Sequence, residues 1–130
     1  MHQPEFEKAV REQIDRSQVM LLHKNDHYNP GEDKLAAFKR AAALKGETPQ
    51  KALAGMMVKH TTSVYDLCDA ETPAPLAVWD EKITDHINYL LLCRALIQEQ
   101  HDMQTTEFHF RHPATISAEE VRNHLAVSQD

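Results

Sequence analysis

The segment 79–89, W-D-E-K-I-T-D-H-I-N-Y, most constrains what this chain can fold into, because its polar groups lead straight into residues 90–97, which are predominantly apolar on every side. At about 100° per residue, Glu81, Asp85 and Asn88 share one helical stripe, and four residues further on Leu92 continues it. A stripe that turns apolar faces an interior or a cleft. Carboxylates aimed there are costly to desolvate and are usually kept for chemistry.

The rest of the chain supplies helices for this one to pack against. Across 5–23, Phe6, Val10, Ile14, Ser17 and Leu21 recur every three or four positions, with Met20 and Leu22 beside them, which predicts a long amphipathic helix with that stripe toward the core. The turn K-N-D-H-Y-N-P-G (24–31) ends it. Leu35, Ala36, Phe38 and the run 41–44 continue as a shorter helix that stops at Gly46. Thr48 followed by Pro49 is an N-cap with proline in the first turn, so a third helix runs from there to about Asp69. After the loop A-E-T-P-A-P (70–75), a fourth helix occupies roughly 76–100.

Short connections between four helices predict an all-α fold, an antiparallel four-helix bundle over 1–100. The remainder, 101–130, reads as a C-terminal arm. Within it T-T-E-F-H-F-R-H (105–112) alternates as a strand does, with Phe108 and Phe110 on one face. The run S-A-E-E (117–120) is a capping box opening a short helix through Leu125. The arm packs on the bundle, packs on a second subunit, or stays a loosely held tail.

Composition excludes several function classes. A chain of 130 residues, 42% apolar and 26% charged, is an ordinary single globular domain. Its formal net charge of -6 argues against general nucleic-acid binding, which needs a basic face. A small nucleotide requires only two or three well-placed cations or a metal ion, and so stays open. The longest apolar run, 89–93, is far short of the roughly 18 residues that cross a bilayer. The start M-H-Q-P-E-F-E lacks a basic and then apolar leader, so a cytoplasmic location is expected. Cys68 and Cys93 read as two reduced, buried thiols.

The third helix repeats the pattern of the fourth. Leu53, Met57, His60, Val64, Leu67 and Cys68 form its apolar face, and Lys59, Ser63 and Asp66 line the adjoining stripe. If the two polar stripes face each other, Lys59, Asp66, Glu81, Asp85 and Asn88 surround one cleft. The bland alternative is a solvated flank of paired charges. His60, amid apolar neighbours, reads as a hydrogen-bonded core residue. Nine scattered histidines and the lack of any C-x-x-C spacing make zinc improbable. There is no Walker loop, G-x-G-x-x-G or G-x-S-x-G, and neither Ser63 nor Cys68 has an evident base. In the turn, Lys24 and Asn25 suit a phosphate and Tyr28 or His27 a stacked base, unless the turn is a plain helix stop with aromatic packing.

Taken together, Lys24, Asn25 and Tyr28 after the first helix, Lys59 to Asp66 in the third, and E-K-I-T-D-H-I-N-Y (81–89) in the fourth resemble the MazG-like, nucleotide-modification-associated family of phage and bacterial proteins. Members show a K-N-x-D-Y-like turn, then K-x-x-R, then a D-x-x-x-Y helix. The resemblance spans about 6–97. It implies an all-α nucleoside triphosphate pyrophosphatase that forms homo-oligomers and holds Mg²⁺ on carboxylates. Glu81 and Asp85 would then be the catalytic metal ligands, with Asn88 and Ser63 contacting nucleotide and Lys24 and Lys59 neutralising phosphate. The chain departs from the family at the E-E-x-x-E run of the preceding helix, which here reads K-L-A-A-F-K-R-A-A-A with Lys34, Lys39 and Arg40. That departure weakens the case for Mg²⁺ binding and for hydrolysis.

Three functions remain open at this stage. One is a nucleotide-handling enzyme of the MazG-like kind. The second is a protein that sequesters a nucleotide or nucleotide-derived signal intact. The third is a structural or protein-interaction module whose polar stripes are oligomer contacts.

Overall fold

The computed structural model describes residues 1–22, 32–111 and 118–127. The fold is an all-α helical bundle, with five helices and no strand among the described residues. They are α1 (Gln3–Leu22), α2 (Ala36–Lys45), α3 (Pro49–Asp69), α4 (Leu76–Arg111) and α5 (Ala118–Val127). None of them is long and apolar enough to cross a membrane. Two compact units divide the chain, Met1–Arg94 and Ala95–Asp130.

Local signals set the helix ends in the first unit. The Asp33 carboxylate accepts from the Leu35 N–H at 2.9 Å and from Lys39 Nζ at 2.7 Å, which fixes the entry to α2. α2 stops at Gly46, whose φ of 65° is left-handed. There Glu47 N–H reaches back to the Ala42 carbonyl at 3.0 Å, closing a Schellman-type turn that a side chain at Gly46 would strain. Thr48 caps α3 as expected, its hydroxyl accepting from Lys51 N–H at 3.3 Å with Pro49 beside it.

The core of this unit lies between α2 and α3. Leu35, Phe38 and Ala42 on the α2 side and Ala52 and Leu53 of α3 are all buried where the two helices pack. Phe38 and Tyr89 of α4 meet edge to face, with centroids 6.2 Å apart at 70°. In the second unit the buried apolar residues are Leu96 of α4 and Val121 of α5.

Three sequence expectations are corrected here. The stripe of α1 is not a core face: Phe6, Val10 and Ile14 are 54%, 40% and 51% exposed, and only Ser17 is buried. α1 is held instead by polar contacts to α4, described below. Residues 105–111 are helical, within α4, and not strand-like. Thr105 and Thr106 donate their hydroxyls to the carbonyls of His101 and Asp102, and Arg111 pairs with Glu107 at 2.7 Å, so the β-branched residues satisfy themselves inside a helix. The alternation of Phe108 and Phe110 loses its meaning, since two residues apart on a helix point in nearly opposite directions, and Phe110 is exposed. Finally, Cys68 is exposed where burial was expected, while Cys93 is half-buried; both thiols are free.

Candidate functional site

α1 and α4 run antiparallel, a direction set by two side-chain bridges. Gln13 Nε2 donates to the Thr84 hydroxyl at 2.9 Å, and one turn along, Arg16 Nη2 meets Asp80 Oδ1 at 3.3 Å. Gln13 also donates to Ser17 at 3.2 Å, so two buried hydroxyls, on Ser17 and Thr84, share one amide. Small hydroxyl residues at both places let the helices meet through polar groups rather than through a leucine seam.

Beside this seam opens a cavity of about 510 Å³. Glu12 and Asp15 enter it from α1, and Asp80, Glu81 and Asp85 from α4, around a wall of Val19 and Met20. The helical spacing explains the convergence: Glu12 and Asp15 are three residues apart and Glu81 and Asp85 four, so each pair stacks on one face of its helix. Arg16 is the one cation among the lining residues, which leaves the cavity with five carboxylates and a net of four negative charges. Its Nε is buried without a partner among the described residues, an uncommitted donor beside these acids.

Such a cavity attracts cations and repels a bare polyphosphate. At about 4 Å two unit charges interact by roughly 1 kcal/mol in water, and by more where solvent is thinned out. The oxygen donors suit a hard cation such as Mg²⁺, which needs only one or two protein carboxylates when substrate phosphates and waters complete its shell. They do not form a finished cage: among the described residues no three acidic, histidine or cysteine side chains converge tightly enough to hold a metal ion together.

Asp85 also belongs to a second group. Its Oδ2 lies 3.8 Å from His60 Nδ1 of α3, and the His60 ring stacks on Tyr89 with centroids 4.5 Å apart. His60 is therefore a half-buried residue seated between Asp85 and an aromatic ring. One position along, Thr61 Oγ1 and His86 Nε2 are 3.0 Å apart and tie α3 to α4 again.

The predicted site residues divide between these surroundings. Glu81 and Asp85 line the α1–α4 cavity. Asn88, one turn on from Asp85, is half-buried, and its Oδ1 has no partner among the described residues. Lys59 and Asp66 are exposed on α3, and Ser63 donates its hydroxyl to the Lys59 carbonyl at 2.8 Å; none of the three lines the cavity. Lys24, Asn25 and Tyr28 lie outside the described residues. On α2, Lys39 pairs with Asp33 at 2.7 Å.

Sequence reasoning missed Glu12, Asp15 and Arg16. Two signals pointed to them: the E-x-x-D spacing at 12–15, and Ser17, a small polar residue in an otherwise apolar stripe, where another element comes close. No protein-family model, curated protein or solved structure matches this chain.

Proposed function

We propose that this protein binds a nucleotide in the α1–α4 cavity with the help of a divalent cation, in the manner of the MazG-like proteins its motifs resemble. The observation that carries the reading is the facing of Glu12 and Asp15 with Glu81 and Asp85 across one cavity, next to an arginine with a spare donor. The acids that α2 lacks are available from α1.

In this reading Glu81 or Asp85 would hold Mg²⁺ with substrate phosphates and waters completing its shell, the other cavity acids would add to the negative field around it, and Arg16 Nε would donate to a phosphate oxygen. Val19 and Met20 offer the base or sugar an apolar wall. His60, itself stacked on Tyr89, stands 3.8 Å behind Asp85 and can help to orient its carboxylate. When bound, Mg²⁺ would offset the carboxylate charge, draw in the phosphates and make a water more acidic for attack on them.

The test is release of pyrophosphate from a panel of (d)NTPs with Mg²⁺ or Mn²⁺, together with the thermal midpoint under each condition. Turnover that falls at least 100-fold in Asp85→Asn, with the fold retained, is the expected outcome. A specific observation favours a second reading, sequestration of the intact nucleotide: the carboxylates do not converge into a metal cage. That protein would bind a nucleotide and return it unchanged after heat denaturation. If neither nucleotide nor metal raises the midpoint, both readings fall and the interaction module is left.

A further inference from the structure

Of the carboxylates that line the α1–α4 cavity, all but one are already engaged. Asp80 meets Arg16 at 3.3 Å, Glu81 meets Lys82 at 3.3 Å, Glu12 meets Lys8 at 3.7 Å, and Asp85 stands 3.8 Å from His60. Asp15 has neither a cation nor a hydrogen-bond donor among the described residues. One turn further along the same face of α1 is Val19, 56% exposed, and beside it Met20, 39% exposed, although both line the cavity. An uncommitted carboxylate about 6 Å along the helix axis from an uncovered apolar wall suits a ligand group with flat apolar faces and an edge of N–H donors.

The antiparallel register separates this corner from the cation end of the cavity. Gln13 faces Thr84 and Arg16 faces Asp80, so Glu12 lies level with Asp85, whereas Val19 lies about 10 Å further along, toward the start of α4. A nucleotide whose phosphates meet a cation at Asp85 therefore carries its base to Val19, Met20 and Asp15.

We propose that Asp15 reads the base of the bound nucleotide and selects guanine. The assignment rests on the nucleotide reading of the cavity and adds the identity of the base. A carboxylate offers two acceptors side by side and no donor. Guanine alone among the common bases presents two adjacent donors at its Watson–Crick edge, N1–H and the N2 amino group, so it makes two parallel hydrogen bonds to a carboxylate as a guanidinium does. Adenine and cytosine each set one amino group beside a bare ring nitrogen, and uracil and thymine flank one N–H with two carbonyls. Each of these edges turns a lone pair toward the carboxylate. The excess of acids around the cavity strengthens that rejection, because it opposes acceptor-rich edges. Asp15 is exposed, so water already satisfies its oxygens, and only a ligand that bonds to both of them offsets the loss of that water.

Calorimetric titration with Mg²⁺ and α,β-methylene triphosphates, which resist cleavage between the first two phosphates, reads the preference without turnover. The guanosine analogue should bind about tenfold or more tightly than those of adenosine, cytidine and uridine, with the inosine analogue, which lacks the N2 amino group, in between. Asp15→Asn inverts the pattern, because its amide accepts from N1–H and donates to a carbonyl at C2. The xanthosine analogue should then gain about tenfold or more while guanosine loses a similar factor. A gain of affinity cannot come from a damaged fold. Asp85→Asn, at the cation end, should weaken every analogue alike and leave their order unchanged. Equal binding of the four bases, a preference for another base, or loss of guanosine without gain of xanthosine in Asp15→Asn overturns the assignment to Asp15 while the nucleotide reading stands. If no analogue binds, with or without Mg²⁺, both fall.

Discussion

Among the residues that shape this fold, Asp33 has the clearest electrostatic signature. The Lys39 ammonium first, and the Leu35 N–H second, hold its carboxyl below the ordinary carboxylate range. A carboxyl with a depressed folded-state pKa stabilises the fold above its unfolded pKa, and that contribution disappears as the pH falls through the lower folded value. The loss therefore belongs to the acid side of the ordinary Asp range. In a carbon-detected NMR titration Asp33 should titrate at lower pH than an exposed aspartate, and Lys39→Met should move it back up. An Asp33 titration unchanged by that substitution would show that Lys39 is not the cause.

At the level of whole helices, α3 and α1 respond differently to the same chemistry. Leu53 is 1% exposed between α2 and α3, so Leu53→Ala should cost about 2–5 kcal/mol in chemical denaturation. Ile14→Ala, on a stripe 51% exposed, should cost less than about 1 kcal/mol. Similar losses at the two sites would contradict the exposure of α1. The same contrast explains what the sequence could tell. Helix starts and stops were legible where one residue does a local job, as Thr48 and Pro49 do at α3 and Gly46 does at the end of α2. Amphipathic spacing was legible too, but periodicity reports that a stripe exists and not whether this chain covers it, so Phe6 and Val10 were assigned to a core. Glu81 and Asp85 could be singled out from their own helix. Their companions could not, because Glu12 and Asp15 precede them by about seventy residues and are brought to them by the Gln13–Thr84 and Arg16–Asp80 bridges, long-range contacts that no local spacing announces. The reading of 105–111 failed for a related reason: threonine and phenylalanine favour strands on average, and hydroxyl bonds inside the helix offset that preference.

For the molecule as a whole, stability is unevenly distributed. In Met1–Arg94 the close apolar packing is concentrated between α2 and α3, whereas α1 is joined to α4 through a glutamine, an arginine and their partners. Native-state hydrogen exchange should accordingly release the amides of α1 at a lower free energy than those of α2 and α3. Uniform protection across the three helices would rule out this hierarchy. A last consequence follows from the run Thr61, Thr62 and Ser63, whose hydroxyls donate to the carbonyls of Met57, Val58 and Lys59 at 3.3, 2.7 and 2.8 Å. Three successive carbonyls there serve two donors each, which loosens the backbone ladder and lets the helix bend. That turn carries His60, whose Nδ1 lies 3.8 Å from Asp85 Oδ2, so any bend of α3 there changes how closely the imidazole backs the acid.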